Sequence, residues 1–448
     1  MSNIRVEITR KSNSDARWHR LVGVLALSLF LAQSSFAQFL RVGPFDFMSQ
    51  AKLEGVYTTN VEGQRPDQAT ASMEDYYIIT GLDLNSEAKV SPNTTINLET
   101  GIAVEKHFKR PDLDNSENPF GRLGLDLRTE LGRFAALHGG ALFERTSQSA
   151  SSTYTPSKNK KRDPKNQFDY GLGLDWNRKS LRFSADYSMT QERHIEEEFQ
   201  SGDKNDEMYF YEIGWDPLQY AGVFYSWERK ITEIIHTDDD QDVITEKLGI
   251  DGAVPLTLLR RPKVTYEFGV ESKHGKDDDD DRKWVPMHTI NAEDKYELSS
   301  TLELSWDVMW QNKVLEDDVV FTYGGDLKHQ LSRTTEQSFR ATREPVDTFG
   351  STKNTDKTEL VYSFLKNDLF IYNLNFNASI SYSLNKPLDQ PDVQDETIWT
   401  YTAGLIYTRA LSRKLRRDIE YRFSRDDSSL EDEPLIEHAI TMSYIYDF

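Results

Sequence analysis

Downstream of residue 50 the chain alternates apolar and polar side chains with a period of two, in segments of about ten to fifteen residues separated by turn-forming or polar stretches. The segment Phe370 to Leu384 is the clearest. Phe370, Tyr372, Leu374, Phe376, Ala378, Ile380, Tyr382 and Leu384 fall on one face, and Asn373, Asn375, Asn377, Ser379, Ser381 and Ser383 on the other. Phe168, Tyr170, Leu172, Leu174 and Trp176 oppose Asp169, Gly171, Gly173, Asp175 and Asn177 in the same way. Val264 to Val270 and Leu302 to Trp310 repeat the pattern. Successive side chains of a strand point to opposite faces, so each segment predicts a strand with one greasy and one wet face.

Connection lengths separate a sandwich from an up-and-down barrel. Short turns are expected near Ser91-Pro92-Asn93, Gly132, Asn177-Arg178-Lys179, Pro217-Leu218, Leu258 to Pro262, Ser299-Ser300, Ser332-Arg333, Lys366-Asn367-Asp368 and Ser412-Arg413. Longer polar connections lie between them, and nine turns with ten loops join twenty strands. This asymmetry is that of transmembrane β-barrels, with tight turns at one end and long loops at the other. Ile244 to Val254, Thr335 to Arg343 and Lys414 to Phe423 alternate poorly, so the expected class is an all-β, antiparallel, transmembrane barrel of about 16 to 20 strands. Trp306, Trp310, Trp399, Tyr401 and Tyr407 fall near segment ends, as interfacial aromatics do.

Composition narrows the class. Of the 448 residues only 37% are hydrophobic and mean hydropathy is −0.65, which leaves no room for a bundle of membrane helices. One apolar run, Leu21 to Ala32, follows Arg10, Lys11, Arg17 and Arg20 and precedes Ser35-Phe36-Ala37. That arrangement predicts a secretory signal peptide over residues 1–37, with the barrel spanning 38–448. The signal carries five Lys/Arg and two Asp/Glu, so its removal takes the formal charge from −21 to −24. So acidic a chain is a poor partner for nucleic acid, whose binding draws on basic groups. The absence of cysteine excludes disulfides and thiolate metal sites. The runs Asp238-Asp239-Asp240 and Asp277 to Asp281 and the basic Lys158 to Arg162 read as solvated loops, the acidic ones with some capacity for divalent cations beside lipopolysaccharide phosphates.

The last strand places Ile440, Met442, Tyr444, Tyr446 and Phe448 on one face. It is similar to the C-terminal signature of bacterial outer-membrane barrels, which implies export to the cell outer membrane and recognition by the barrel assembly machinery. The strand Leu53-Glu54-Gly55-Val56-Tyr57-Thr58-Thr59-Asn60-Val61 and turns such as Gln330-Leu331-Ser332-Arg333-Thr334 resemble the porins encoded with exopolysaccharide export systems. That resemblance implies passage of a polymer or of small polar solutes, with polysaccharide export proteins as partners, and it supplies no catalytic residue or cofactor.

With one face in lipid, the other must line the barrel. Alternation assigns Glu99, Glu105, Asp126, Glu130, Asp175, Asp186, Glu267, Glu271, Glu303 and Asp307 to that inner face, with Arg122, Arg128, Arg182, Lys263 and Arg422. The surplus of carboxylates predicts a channel mildly favouring cations; the plainer alternative is that these groups pair across strands. Enzymatic chemistry is not expected, because the nine histidines are scattered and no Ser, His and Asp constellation is legible. Only Gln38 to Ser49 would separate the signal from the first strand, too little for an N-terminal plug. The connections Ser147 to Asn166 and Asp347 to Lys357 are the candidates for a constricting loop. A non-conducting structural or adhesive barrel is the remaining alternative, and a high strand number argues against it.

Overall fold

The computed structural model describes residues 40–42, 44–60, 74–115, 119–146, 164–195, 197–218, 221–236, 240–254, 262–275, 283–313, 318–347, 354–387, 394–431 and 433–447. Residues 1–37, where a signal peptide is expected, Phe448, Lys158 to Arg162, Asp277 to Asp281 and most of both loops expected to constrict lie outside the described residues.

The chain opens with β1 (Leu40–Val42) and β2 (Phe45–Thr58) and continues through β3 (Asp75–Ser91), β4 (Thr94–His107), β5 (Phe120–Glu130), β6 (Ala135–Thr146) and β7 (Lys165–Arg178). Next come β8 (Leu181–His194), β9 (Lys204–Leu218), β10 (Ala221–Ile234), β11 (Gln241–Ala253), β12 (Lys263–Gly275), β13 (Lys283–Ser299) and β14 (Leu302–Lys313). The last seven are β15 (Asp318–Ser332), β16 (Thr335–Asp347), β17 (Asn354–Lys366), β18 (Leu374–Pro387), β19 (Glu396–Ala410), β20 (Leu415–Ser428) and β21 (Leu435–Asp447). Each strand from β2 onward pairs antiparallel with its neighbours in sequence, and β21 returns to β2. Twenty strands therefore close a barrel, the upper end of the expected range. The three segments that alternate poorly are β11, β16 and β20.

In lipid every backbone N–H and C=O needs an internal partner, and closure is the only way a sheet supplies them. The closing seam runs in register from Gln50 opposite Asp447 to Thr58 opposite Ala439. Side chains reinforce it: Gln50 Nε2 donates to Asp447 Oδ1 at 2.8 Å and Ser443 Oγ to Glu54 Oε2 at 2.9 Å. At the rim β2 extends past the end of β21, and there β1 pairs with it, Leu40 opposite Phe47 and Val42 opposite Phe45.

The apolar mass faces outward. Leu53, Leu82, Leu125, Leu172, Ile250, Phe268, Ile290, Phe321, Phe339, Tyr362, Ile380 and Met442 all lie exposed on the register set opposite to the wet face. On the loop side this belt ends at outward arginines paired with carboxylates: Arg229 Nη2 to Asp242 Oδ2 at 2.8 Å, Arg343 Nη2 to Asp356 Oδ2 at 2.7 Å and Arg425 Nη2 to Asp427 Oδ1 at 3.0 Å. Long cationic side chains at that level bury their stems in the apolar layer and keep their heads among headgroups. Ile440, Met442, Tyr444 and Tyr446 share the outer face of β21.

The segment beginning at Phe370 departs from expectation. β17 ends at Lys366 and β18 begins only at Leu374, so Phe370, Ile371 and Tyr372 form the apex of a turn, 88%, 60% and 78% exposed. Asp368 and Asn373 both adopt left-handed backbone, with φ of 53° and 65°, and Asp368 Oδ1 accepts the Asn373 N–H at 2.6 Å. Short polar side chains that bond to nearby backbone tolerate that conformation and interrupt the ladder. Alternation of residue type runs through the turn although the strand does not.

The register of β18 predicts opposite outcomes at adjacent positions. Ile380→Arg, on the lipid face at mid-strand, should hinder assembly at a cost of about 2–4 kcal/mol near the midplane, whereas Ser381→Arg on the inner face should fold normally. Heat-modifiable migration on gels after refolding measures the difference, and equal behaviour of the two variants would contradict the register.

Candidate functional site: the inner wall

The register places all twelve charged positions singled out from sequence on the inner face: Glu99, Glu105, Asp126, Arg128, Glu130, Asp175, Arg182, Asp186, Glu267, Glu271, Glu303 and Asp307. Arg122, Lys263 and Arg422 share it. They are spread around the wall and do not converge on one point, and they fall into regions of different character.

The first region, on β2 to β4, is covered. The connection after β4 folds inward through the short turn Pro111–Leu113, and Leu113 packs against Val56, Tyr77 and Ile79 with Ala103 beside them. This is the one buried apolar cluster among the described residues. Polar contacts pin the same segment: Asn115 Oδ1 accepts the Glu105 N–H and Asp114 Oδ1 the His107 N–H, each at 2.6 Å, while Lys106 Nζ bonds Asp114 Oδ2. Beneath it, His107 Nδ1 lies 2.5 Å from Asp75 Oδ2 and its Nε2 3.5 Å from Glu105 Oε2, with the ring stacked on Tyr77 at 4.6 Å. Glu105 is therefore a buried support of this loop and not an open wall charge. The loop had no hydrophobic periodicity to mark it. Its only signal was Leu113 standing alone in a polar stretch.

The second region, β5 to β16, is a ladder of cross-strand ion pairs. Arg122 Nη2 meets Glu99 Oε2 at 3.0 Å, Lys247 Nζ meets Glu267 Oε2 at 3.1 Å, and Lys295 Nζ meets Glu303 Oε1 at 3.0 Å. Lys273 Nζ lies 3.6 Å from Glu271 Oε1 along its own strand. Arg182 reaches carboxylates on two other strands, Nε to Glu212 at 3.2 Å and Nη1 to Asp216 at 3.2 Å on β9 and Nη2 to Asp251 at 3.0 Å on β11, with its guanidinium 5.8 Å from the ring centre of Phe224 on the intervening β10. His138 bridges Asp186 at 3.1 Å and Asp175 at 3.5 Å. Such pairs stabilise a wall by roughly 0.2–1 kcal/mol each, so much of the charge predicted to steer solutes also holds strands in register. A recess of about 890 Å³ opens against Arg182, Lys247, Glu267, Glu293 and Asp307.

In the third region charge is confined to the loop end, where Lys357 and Glu359 on β17 and Glu396 on β19 share the inner face. Ser363 on β17, Asn377, Ser379, Ser381 and Ser383 on β18, and Thr400 and Thr402 on β19 present hydroxyls and amides to the lumen, and Ser379 Oγ and Thr402 Oγ1 lie 2.7 Å apart. A second recess, of about 490 Å³, follows this strip and is bordered by Glu420, Arg422 and Glu437.

No protein-family model matches the sequence, and no curated protein matches it. Solved structures do. The chain is similar to OccK5 (OpdH) of Pseudomonas aeruginosa, with 11% identity over 90% of this chain and 98% of that one and a TM-score of 0.41. It is similar to OccAB3 of Acinetobacter baumannii at 13% identity, covering 90% and 100% of the two chains with a TM-score of 0.42. A BenF-like porin from Pseudomonas fluorescens Pf-5 aligns at 10% identity over 90% and 99%, with a TM-score of 0.44. The fold of this chain is established by its own register.

Outside the spanning strands, Asp203 closes the connection before β9. Burial works to raise its pKa, but hydrogen bonds from the backbone and ring of His194 outweigh it and hold the carboxyl below its usual value. A depressed carboxylate stabilises the fold above its unfolded pKa, ordinarily 3.8, and loses that contribution as the pH falls through the folded value. Hydrogen-exchange protection of residues 200–203 should therefore persist unchanged down to about pH 4 and collapse below it, and Asp203→Asn should abolish the transition. Leu113→Asp should release the inward loop by removing apolar burial of about 1.5–3 kcal/mol. Limited proteolysis should then cut between residues 108 and 115 while the barrel stays heat-modifiable.

Proposed function

We propose that this barrel is an outer-membrane channel for passive diffusion of small polar solutes and ions, with a mild preference for cations. The observation that carries the proposal is a closed ring of twenty strands whose inner face is predominantly polar. Barrels of about eight strands fill their interior with side chains, whereas those of about sixteen to eighteen leave an aqueous passage. Carboxylates beyond those already assigned, including Asp83, Asp169, Glu212, Glu228, Asp251, Glu293 and Glu420, share the inner face, and they outweigh additional cations such as Lys204, Lys230, Lys247, Lys273, Lys295 and Lys328. Acidic surplus in a lumen lowers the barrier for cations. The reading is non-enzymatic. Lipopolysaccharide and outer-membrane lipid around the belt, and the assembly machinery at the last strand, are the partners this reading requires.

Export of a polysaccharide is the second reading. The uncharged strip of Ser, Asn and Thr on β17 to β19 favours it, because a neutral polymer gains nothing from fixed charge and hydrogen-bonds readily to hydroxyls and amides.

Single-channel recording of the refolded protein in a planar bilayer tests the proposal. Steady conductance steps with a reversal potential shifted toward the cation equilibrium under a salt gradient are expected. A protein shown to be folded that passes no current would overturn it, and a conducting channel blocked by added neutral oligosaccharide would favour the second reading.

A further inference from the structure

Glycines in the strands differ in what a side chain would meet. On the outer face, a β-carbon built at Gly55 meets nothing within 4 Å, and at Gly121 and Gly325 the nearest atoms are 3.7 and 4.0 Å away, whereas at Gly139 it would meet the Leu172 side chain and the Gly171 carbonyl at 3.1 Å. Several inner-face glycines behave differently. A β-carbon at Gly101 or Gly140 would stand 2.5 Å from Asp83 Oδ1 or Asp126 Oδ1, and at Gly173 and Gly324 it would fall closer still to Asp186 Oδ1 and Asp307 Oδ1. In every case the crowding side chain belongs to the residue directly opposite on the neighbouring strand: Asp83 faces Gly101, Asp126 faces Gly140, Asp186 faces Gly173 and Asp307 faces Gly324. Asn377 lies against Gly404 in the same way.

We infer that these glycines are seats: positioning residues that let wall carboxylates recline across the neighbouring strand, and so set both the width of the lumen and the strength of its charge selectivity. Directly opposite β-carbons in an antiparallel pair lie about 4.5–5.5 Å apart, and a glycine opens that space to the facing side chain. A reclining carboxylate occupies no lumen cross-section, and its charge stays far from the axis, where its pull on a passing ion is weaker. Any other residue at the seat forces the carboxylate to swing off the wall.

The inference rests on the channel reading but makes a prediction of its own, in which two quantities move in opposite senses. Gly101→Ala and Gly324→Ala, singly and combined, should lower unit conductance because Asp83 and Asp307 then project into the passage. They should also raise the cation-to-anion permeability ratio, because the same charges approach the ions. Gly55→Ala and Gly325→Ala should leave both quantities at the wild-type level. A variant that merely folds poorly changes the number of channels and not the size of each step. Inner variants indistinguishable from wild type, or outer variants that change as much, would overturn the inference. Should the folded wild-type barrel pass no current, the channel reading fails, and a crystal structure of Gly324→Ala decides the seat separately. An Asp307 carboxylate displaced from strand β15 supports it, and one left in place refutes it.

Discussion

Closure of the sheet on itself is the constraint from which the rest of this molecule follows. Hydrocarbon offers no partner to a backbone amide, so twenty strands are stable in a bilayer only if the first and last find each other. That contact joins residues almost four hundred positions apart, Gln50 with Asp447 and Glu54 with Ser443. Once the ring exists, alternation along each strand decides the remainder. One set of side chains is delivered to lipid and the other to a lumen, and neither set has to form a conventional core. The only buried apolar cluster among the described residues arises where a loop turns into that lumen and lays Leu113 over Val56, Tyr77 and Ile79.

The inner wall is therefore two things at once. Arg182 with its three carboxylates, and the Lys247 and Lys295 pairs, hold neighbouring strands together and also define the field a solute would meet. Under the proposed channel function, the residues that hold the register are also the ones a solute passes. The strip of hydroxyls and amides on β17 to β19 also links strands, as Ser379 and Thr402 do across β18 and β19, but without fixed charge.

Strand number and face were legible in the sequence because both rest on local signals, the period of two and the alternation of short with long connections. β11, β16 and β20, whose alternation is poor, kept the expected count open from about 16 to 20. The stretch Phe370 to Tyr372 misled because residue type alternates there while Asp368 and Asn373 bend the backbone. Properties that depend on what lies opposite were not legible. Nothing in the local sequence marks Gly324 as the neighbour of Asp307 or Gly101 as that of Asp83, since each pairing exists only in the folded register. The inward turn at Leu113 was hidden for the same reason, because its partners come from three different strands.

The small strand β1 has a consequence for the order of assembly. Unpaired strand edges invite the wrong neighbour, and β2 must wait for the far end of the chain before its own edge is filled. The edge is divided: Phe45 to Phe47 pair with Leu40 to Val42, a hairpin closed over a few residues, while Gln50 to Thr58 are reserved for β21. Local contacts form ahead of distant ones. The rim of the leading strand is thus guarded from the start, and the slow, long-range closure has only nine residue positions left to recruit.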